Sequence, residues 1–217
     1  MTRFVCFDVD STLLNVESLD YAIANSSASG SAQMVETITN AGMSGAMDLR
    51  TSLTARLDLA QFSRSNVARA AVALKDKAVP GMADLLTSLR NRGDLVAAVS
   101  GGFEELLRLA LRDLGFAPTV IRTNQFIWND GRVAGFDTDN PLSDNGGKAV
   151  VLNELRNAAS VAEVVMVGDG ITDVEAFEAG AANRFIGFGG VTKRDAVVAR
   201  APEFAQNVIE LKTLLLS

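Results

Sequence analysis

Three strand-length apolar runs in this sequence end alike, and that shared ending restricts the fold more than any other feature. Arg3–Phe7 stops at Asp8-Val9-Asp10-Ser11-Thr12, Leu95–Val99 at Ser100-Gly101-Gly102, and Val161–Val167 at Gly168-Asp169-Gly170. Apolar runs this short, closed by turn residues, read as buried strands. Between and after them the pattern turns helical over Met82–Arg92, Phe103–Leu114, Lys148–Ala158, Asp173–Ala179 and Ala205–Leu215, with Phe185-Ile186 as a further short strand. Asn129-Asp130-Gly131 inside Ile127–Phe136 is a hairpin signal. Alternating strands and helices with near-continuous apolar strands are the pattern of an α/β fold on a parallel sheet. In such sheets, sites form beyond the carboxyl ends of strands, so the three polar clusters are expected to converge.

Residues from about 16 to 77 have a different texture, rich in Ala, Ser and Thr, helical in period and free of Pro. A helix is expected to start near Glu17, and Ser26-Ser27-Ala28-Ser29-Gly30 reads as a connection. Val79-Pro80-Gly81 marks the return to the main unit. The organisation expected is a core of residues 1–15 and 78–217 with a small helical unit, 16–77, inserted after the first strand.

Composition removes several function classes. The 217 residues contain no histidine, which excludes Ser-His-Asp hydrolases, His-based phosphatases and the usual zinc sites. Acid–base chemistry must come from carboxylates, Lys or the single Tyr. A net charge of −6 disfavours nucleic acid and anionic membranes as partners. No segment reads as a signal peptide or membrane span, and the one cysteine, Cys6, has no internal disulfide partner, so a cytoplasmic location is expected. Cys6 itself reads as core.

Asp8 and Asp10 admit two readings. Asp is an ordinary turn and cap residue. Yet two carboxylates just past an apolar strand repel unless a cation or a proton is shared. That suits phosphoryl transfer, with an ionised Asp8 attacking phosphorus and a protonated Asp10 as acid and then base. Asp169 and Asp173 form a second pair, either a Gly-rich helix cap or oxygen ligands for Mg²⁺. Ser100-Gly101-Gly102 is expected to open a helix and offer an anion site. Lys148 stands at a helix start, where positive charge is unfavourable unless it reaches an anion. Gly147-Lys148 lacks the earlier Gly and following Ser or Thr of a P-loop, and Asp173 spoils a dinucleotide fingerprint. Glu17 could simply favour a helix first turn. Arg56 falls on an apolar stripe with Leu49, Leu53, Leu57 and Ala60, where it needs an internal partner, a route to solvent or an anion.

Taken in order, Asp8-Val9-Asp10-Ser11-Thr12, Ser100, Lys148 and Gly168-Asp169-Gly170 with Asp173 resemble the four motifs of the haloacid dehalogenase-like hydrolases. The resemblance covers essentially the whole chain. It implies a Rossmann-like core with 16–77 as a helical cap, Asp8 as nucleophile and Asp10 as acid/base. It also implies Mg²⁺ held by Asp8, the Asp10 carbonyl and Asp169, with Asp173 in support, and phosphate held by Ser100 and Lys148. Asp at position 10 favours the phosphatase branch over the dehalogenases.

Met43-Ser44-Gly45, Leu53–Leu57, Ala134–Asp137 and Phe185–Gly190 are similar to segments of the phosphoserine phosphatase family. That likeness implies a small phosphorylated amino acid as partner, with Glu17 on its ammonium and Arg56 on its carboxylate. Met43 would line the pocket, and Gly101 and Thr172 would assist binding. Leu49 stands where the family often has Phe and Ser44 where it often has Gly; both bear on substrate range, not on the chemistry. Transfer to a hydroxyl acceptor such as homoserine, or hydrolysis of another small phosphomonoester, would use the same machinery. A non-catalytic phosphate-binding module is disfavoured because no catalytic carboxylate is missing. Either a monomer or a homodimer is compatible with the sequence.

Overall fold

The computed structural model describes residues 3–26 and 32–217. Of the connection expected at Ser26–Gly30, only Ser26 lies among the described residues. The central sheet has six parallel strands: β1 (Arg3–Phe7), β2 (Leu95–Phe103), β3 (Ile121–Asn124), β6 (Glu163–Gly168), β7 (Arg184–Phe188) and β8 (Glu203–Ala205). Their spatial order is β3-β2-β1-β6-β7-β8. Val5 lies in register with Val96 on one side and Val165 on the other, so β1 is central. A separate hairpin joins β4 (Phe126–Asn129) to β5 (Arg132–Phe136). Its turn residues Asp130 and Gly131 both have positive φ, 47° and 75°, the left-handed pair a two-residue hairpin requires.

Alternation along β1 explains the layers. Val5 and Phe7 belong to one apolar cluster, Phe4 and Cys6 to another on the opposite face. The first cluster packs against α5 (Met82–Asn91), α6 (Glu104–Asp113) and α10 (Val208–Leu216). The second packs against α7 (Gly147–Ala159), α8 (Ile171–Glu178) and the short α9 (Asp195–Val198). Cys6 is fully buried, and burial pushes its thiol pKa up, so it is an inert core residue.

Between β1 and α5, among the described residues, lie four α-helices: α1 (Ser18–Ala24), α2 (Ala32–Ser44), α3 (Leu49–Asp58) and α4 (Arg64–Leu74). Asp48 caps α3 by accepting from Thr51 N, and Ser63 caps α4 by accepting from Asn66 N. Their apolar faces (Leu19 and Ile23, Leu53 and Leu57, Val67 and Leu74) join the same cluster as Val5, Phe7 and Leu107. No helix among the described residues is long and apolar enough to cross a membrane.

Three differences from expectation have local causes. β2 runs on to Phe103, because pairing with β3 resumes past an irregularity at Phe103↔Asn124. Ser100-Gly101-Gly102 is therefore extended, and α6 begins only at Glu104. The last helix starts at Val208, because Glu203–Ala205 forms the edge strand β8.

Candidate active site

The carboxyl ends of β1, β2 and β6 meet as expected, and a small cavity of about 30 Å³ is lined by the ends of β1 and β2. Its floor is Asp8, Asp10, Ser100, Gly101 and Lys148. The inserted helices supply its walls, with Glu17, Met43 and Arg56 beside Leu49 and Leu53, while Thr172 reaches in from α8. Every residue predicted to touch substrate or phosphate therefore faces one space.

The turn after β1 sets the first two acids. Val9 O accepts from the N–H groups of Thr12, Leu13 and Leu14, which reverses the chain within one residue of the strand. Ser11 takes a left-handed φ of 51° to complete the bend. Asp8 is buried; its Oδ1 accepts from Val9 N at 2.7 Å and its Oδ2 lies 2.9 Å from Lys148 Nζ. Asp10 Oδ2 accepts from Ser18 Oγ at 2.8 Å. Asp10 is part-exposed as a residue, but its Oδ1 is sealed from solvent and has no protein partner among the described residues. Burial, then the charges of Glu17 and Asp8, raise the Asp10 carboxyl well above the ordinary carboxylate range. Asp10 is thus shifted towards its protonated form beside Asp8.

Lys148 is the buried cation between Asp8 and Asp173 Oδ1, 2.5 Å away. Burial alone would lower its pKa; Asp173 and Asp8 outweigh that and raise it, so the ammonium stays charged. Gly147 puts it there: a Cβ at Gly147 would stand 1.7 Å from Pro141 O, so only glycine lets α7 begin against that turn. Asp173 is pushed up to about 7 by burial, with Lys148 opposing and Asp8 adding to the rise. Its Oδ2 accepts from Gly170 N at 3.0 Å, and Gly168 makes room, since a Cβ there would meet that oxygen at 2.1 Å.

Carboxylate oxygens of Asp8, Asp169 and Asp173 lie within 4.8 Å of one another, a buried all-oxygen cluster of the kind that holds a hard cation. Among the described residues, none of the turn's backbone bonds uses the Asp10 carbonyl as acceptor, which leaves it available to such a set. Asp169 accepts from Thr12 Oγ1 at 3.0 Å, and burial, then Glu17 and Asp8, raise its pKa.

Ser100 does not open a helix. Its Oγ accepts from Gly102 N at 3.0 Å, within a segment held by Asn124 Nδ2 on Gly101 O at 2.8 Å. Ser44 is exposed and bonds back to Ala41 O, so it does not line the cavity; Leu49 does, above Gly101. Arg56 resolves its apolar-stripe problem internally, by an ion pair with Asp20 at 3.2 Å, while still lining the cavity.

Arg194 is the main residue that sequence reasoning missed. Its Nε is 2.9 Å from Asp169 Oδ2, and its Nη2 is 3.1 Å from Glu17 Oε1. It tempers the rise that burial imposes on the Glu17 pKa. A charge count gives the signal: Asp8, Asp10, Glu17, Asp169 and Asp173 converge on only Lys148 and Arg56, so a further cation near a strand end was to be sought. Arg194 follows Gly189-Gly190 at the end of β7.

The family profile of haloacid dehalogenase-like hydrolases matches residues 5–178. The phosphoserine phosphatase of Homo sapiens is 34% identical over 208 residues, covering 95% of this chain and 90% of that protein. A phosphoserine phosphohydrolase-like protein from Francisella tularensis subsp. tularensis SCHU S4 superposes with a TM-score of 0.88 at 29% identity, covering 99% of this chain and all of that one (100%). A phospho-aspartyl intermediate analogue of phosphoserine phosphatase gives a TM-score of 0.85 at 25% identity, covering 98% of each chain. The chain belongs to the haloacid dehalogenase-like hydrolases, within the phosphoserine phosphatase family.

Proposed function

We propose that this enzyme hydrolyses O-phospho-L-serine to L-serine and inorganic phosphate through an aspartyl-phosphate on Asp8. The observation that carries the reading is one cavity holding both halves of the task. The Asp8–Lys148 pair lies at its floor, and Glu17 and Arg56 stand on its wall. A zwitterionic phosphomonoester matches that arrangement: phosphoryl group on Lys148 and Ser100, ammonium on Glu17, carboxylate on Arg56.

In the first step an Asp8 oxygen attacks phosphorus, the ester P–O bond breaks, and Asp10 gives its proton to the departing serine oxygen. In the second, Asp10 takes a proton from water as the water oxygen attacks phosphorus; the bond to Asp8 breaks and phosphate leaves. The raised pKa of Asp10 supports the first role, and its single donor, Ser18, leaves Oδ1 for the transferred proton. The all-oxygen donor set fits Mg²⁺, which Asp8, the Asp10 carbonyl and Asp169 would hold, with Asp173 in support. When bound it supplies positive charge against the phosphoryl oxygens.

The cavity's small volume supports a cap role for residues 16–77, whose movement would admit substrate. Action as a monomer or homodimer in the cytoplasm completes the reading. The test is phosphate release from L-phosphoserine beside phosphothreonine, a sugar phosphate and p-nitrophenyl phosphate, with Mg²⁺ and with chelator. The expected result is a large, metal-dependent preference for L-phosphoserine. Equal rates on all four would remove the substrate assignment, and phosphate appearing on an added hydroxyl acceptor would replace hydrolysis by transfer.

A further inference from the structure

Arg56 is 3% exposed, a burial at which a guanidinium without partners is costly. Three acceptors hold it. Its Nε donates to Ser52 O at 3.3 Å, and its Nη1 donates to Asp20 Oδ1 and to Thr39 Oγ1, both at 3.2 Å. Thr39 in turn donates to Asp20 Oδ2 at 2.6 Å. Carboxylate, hydroxyl and guanidinium thus close a triangle whose corners come from α1, α2 and α3. Nη2 takes part in none of these bonds, and Arg56 lines the cavity, so Nη2 is the donor left for an anion there. The ion pair of Arg56 is with Asp20, whereas Glu17 is paired with Arg194 at 3.1 Å and feels Arg56 only as a weaker, more distant charge. Asp20 lies outside the set of residues that line the cavity.

We propose that Asp20, together with Thr39, is a positioning residue that sets selectivity for carboxylate-bearing phosphomonoesters by fixing Arg56 at the cavity wall with Nη2 free. The proposal rests on the phosphoserine reading above. Its logic is electrostatic. Without Asp20, a buried guanidinium has only neutral acceptors in the free enzyme, and it lowers its energy by leaving the wall for solvent. With Asp20, the pair is neutral at rest and the guanidinium is oriented before substrate arrives, which cuts the ordering cost of binding. The contrary arrangement, in which Asp20 competes with the substrate carboxylate for Arg56, gives the opposite sign and is therefore separable.

The experiment compares L-phosphoserine with phosphoethanolamine, which differs from it only by lacking the carboxylate. The ratio of their kcat/KM values is measured for the wild type, Asp20→Asn and Thr39→Val. A wild type that does not distinguish the two esters removes the phosphoserine reading itself. Given a wild-type preference, Asp20→Asn should lower the ratio about tenfold, mainly through KM for L-phosphoserine, the size expected for one charged hydrogen bond. Thr39→Val should move it in the same direction by less. An unchanged ratio, including equal losses on both esters, overturns the proposal by reducing Asp20 to a structural role. A raised ratio also overturns it, by making Asp20 a competitor. Should Asp20→Asn not fold, Thr39→Val carries the same readings.

Discussion

Replacing Arg194 with Met keeps most of the side chain's bulk and removes its charge. Arg194 serves two acids at once, Asp169 at 2.9 Å and Glu17 at 3.1 Å, and its Nη1 also reaches Asn40 Oδ1 on α2 at 3.2 Å. The three charged side chains are 9%, 3% and 15% exposed for Arg194, Asp169 and Glu17, so solvent screens them little. Breaking a buried pair by removing one partner costs ~3–5 kcal/mol, because the other charge is left uncompensated. The low end applies here: Asp169 keeps its Thr12 donor at 3.0 Å and Glu17 its Ser11 donor at 2.8 Å. For a chain of this length each kcal/mol moves Tm by ~2–4 °C, so ~3 kcal/mol corresponds to a fall of ~6–12 °C. The assay is calorimetric or circular-dichroism melting of Arg194→Met beside wild type, in chelator and in Mg²⁺. The deficit should be largest in chelator and should shrink in Mg²⁺, where a cation on Asp169 replaces part of the missing charge. A variant melting within about 1 °C of wild type in chelator refutes the reasoning, since Asp169 and Glu17 would then not depend on Arg194.

Asp8→Asn should abolish turnover while leaving the melting profile cooperative; substantial retained phosphate release would remove Asp8 as the nucleophile. Gly147→Ala should cost about 1–3 kcal/mol or more, because its Cβ would lie 1.7 Å from Pro141 O, and an unchanged urea midpoint would show that the turn yields freely. Asp48 has its carboxyl held below the usual range by its hydrogen bonds from Thr51, so its stabilising share is full above the unfolded pKa and is lost as pH falls through the lower folded one. The gap in urea midpoint between wild type and Asp48→Ala should accordingly narrow from about pH 7 to about pH 3, and a gap that widens on acidification would reverse the assigned sign.

What could be read beforehand, and what could not, divides along the range of the interactions involved. The central strands were legible because burial on both faces leaves an uninterrupted apolar run, as in Val164–Val167. The edge strands β3 and β8 were not. Ile121–Asn124 and Glu203–Ala205 are short and carry Arg122, Asn124 and Glu203, as suits edges with one flank unpaired. Asp8, Ser100 and Asp169 were legible as a group because a parallel sheet delivers its strand ends to one side, and Lys148 because a cation at the start of a helix needs an anion to reach. Arg194 and Asp20 have no such signature. Arg194 sits in an irregular stretch before a four-residue helix, and its partners are 25 and 177 residues away in sequence. Asp20 looks like an ordinary first-turn acid of α1, and only the fold reveals that Arg56, 36 residues on, is buried against it. Both follow from one constraint: a site that gathers this many buried carboxylates must balance their charge, as Arg194 does for Glu17 and Asp169, and a buried arginine needs an acid, as Arg56 has in Asp20. The chemistry of the strand ends therefore announces itself locally, whereas the charge balance that lets it operate is a property of the assembled fold.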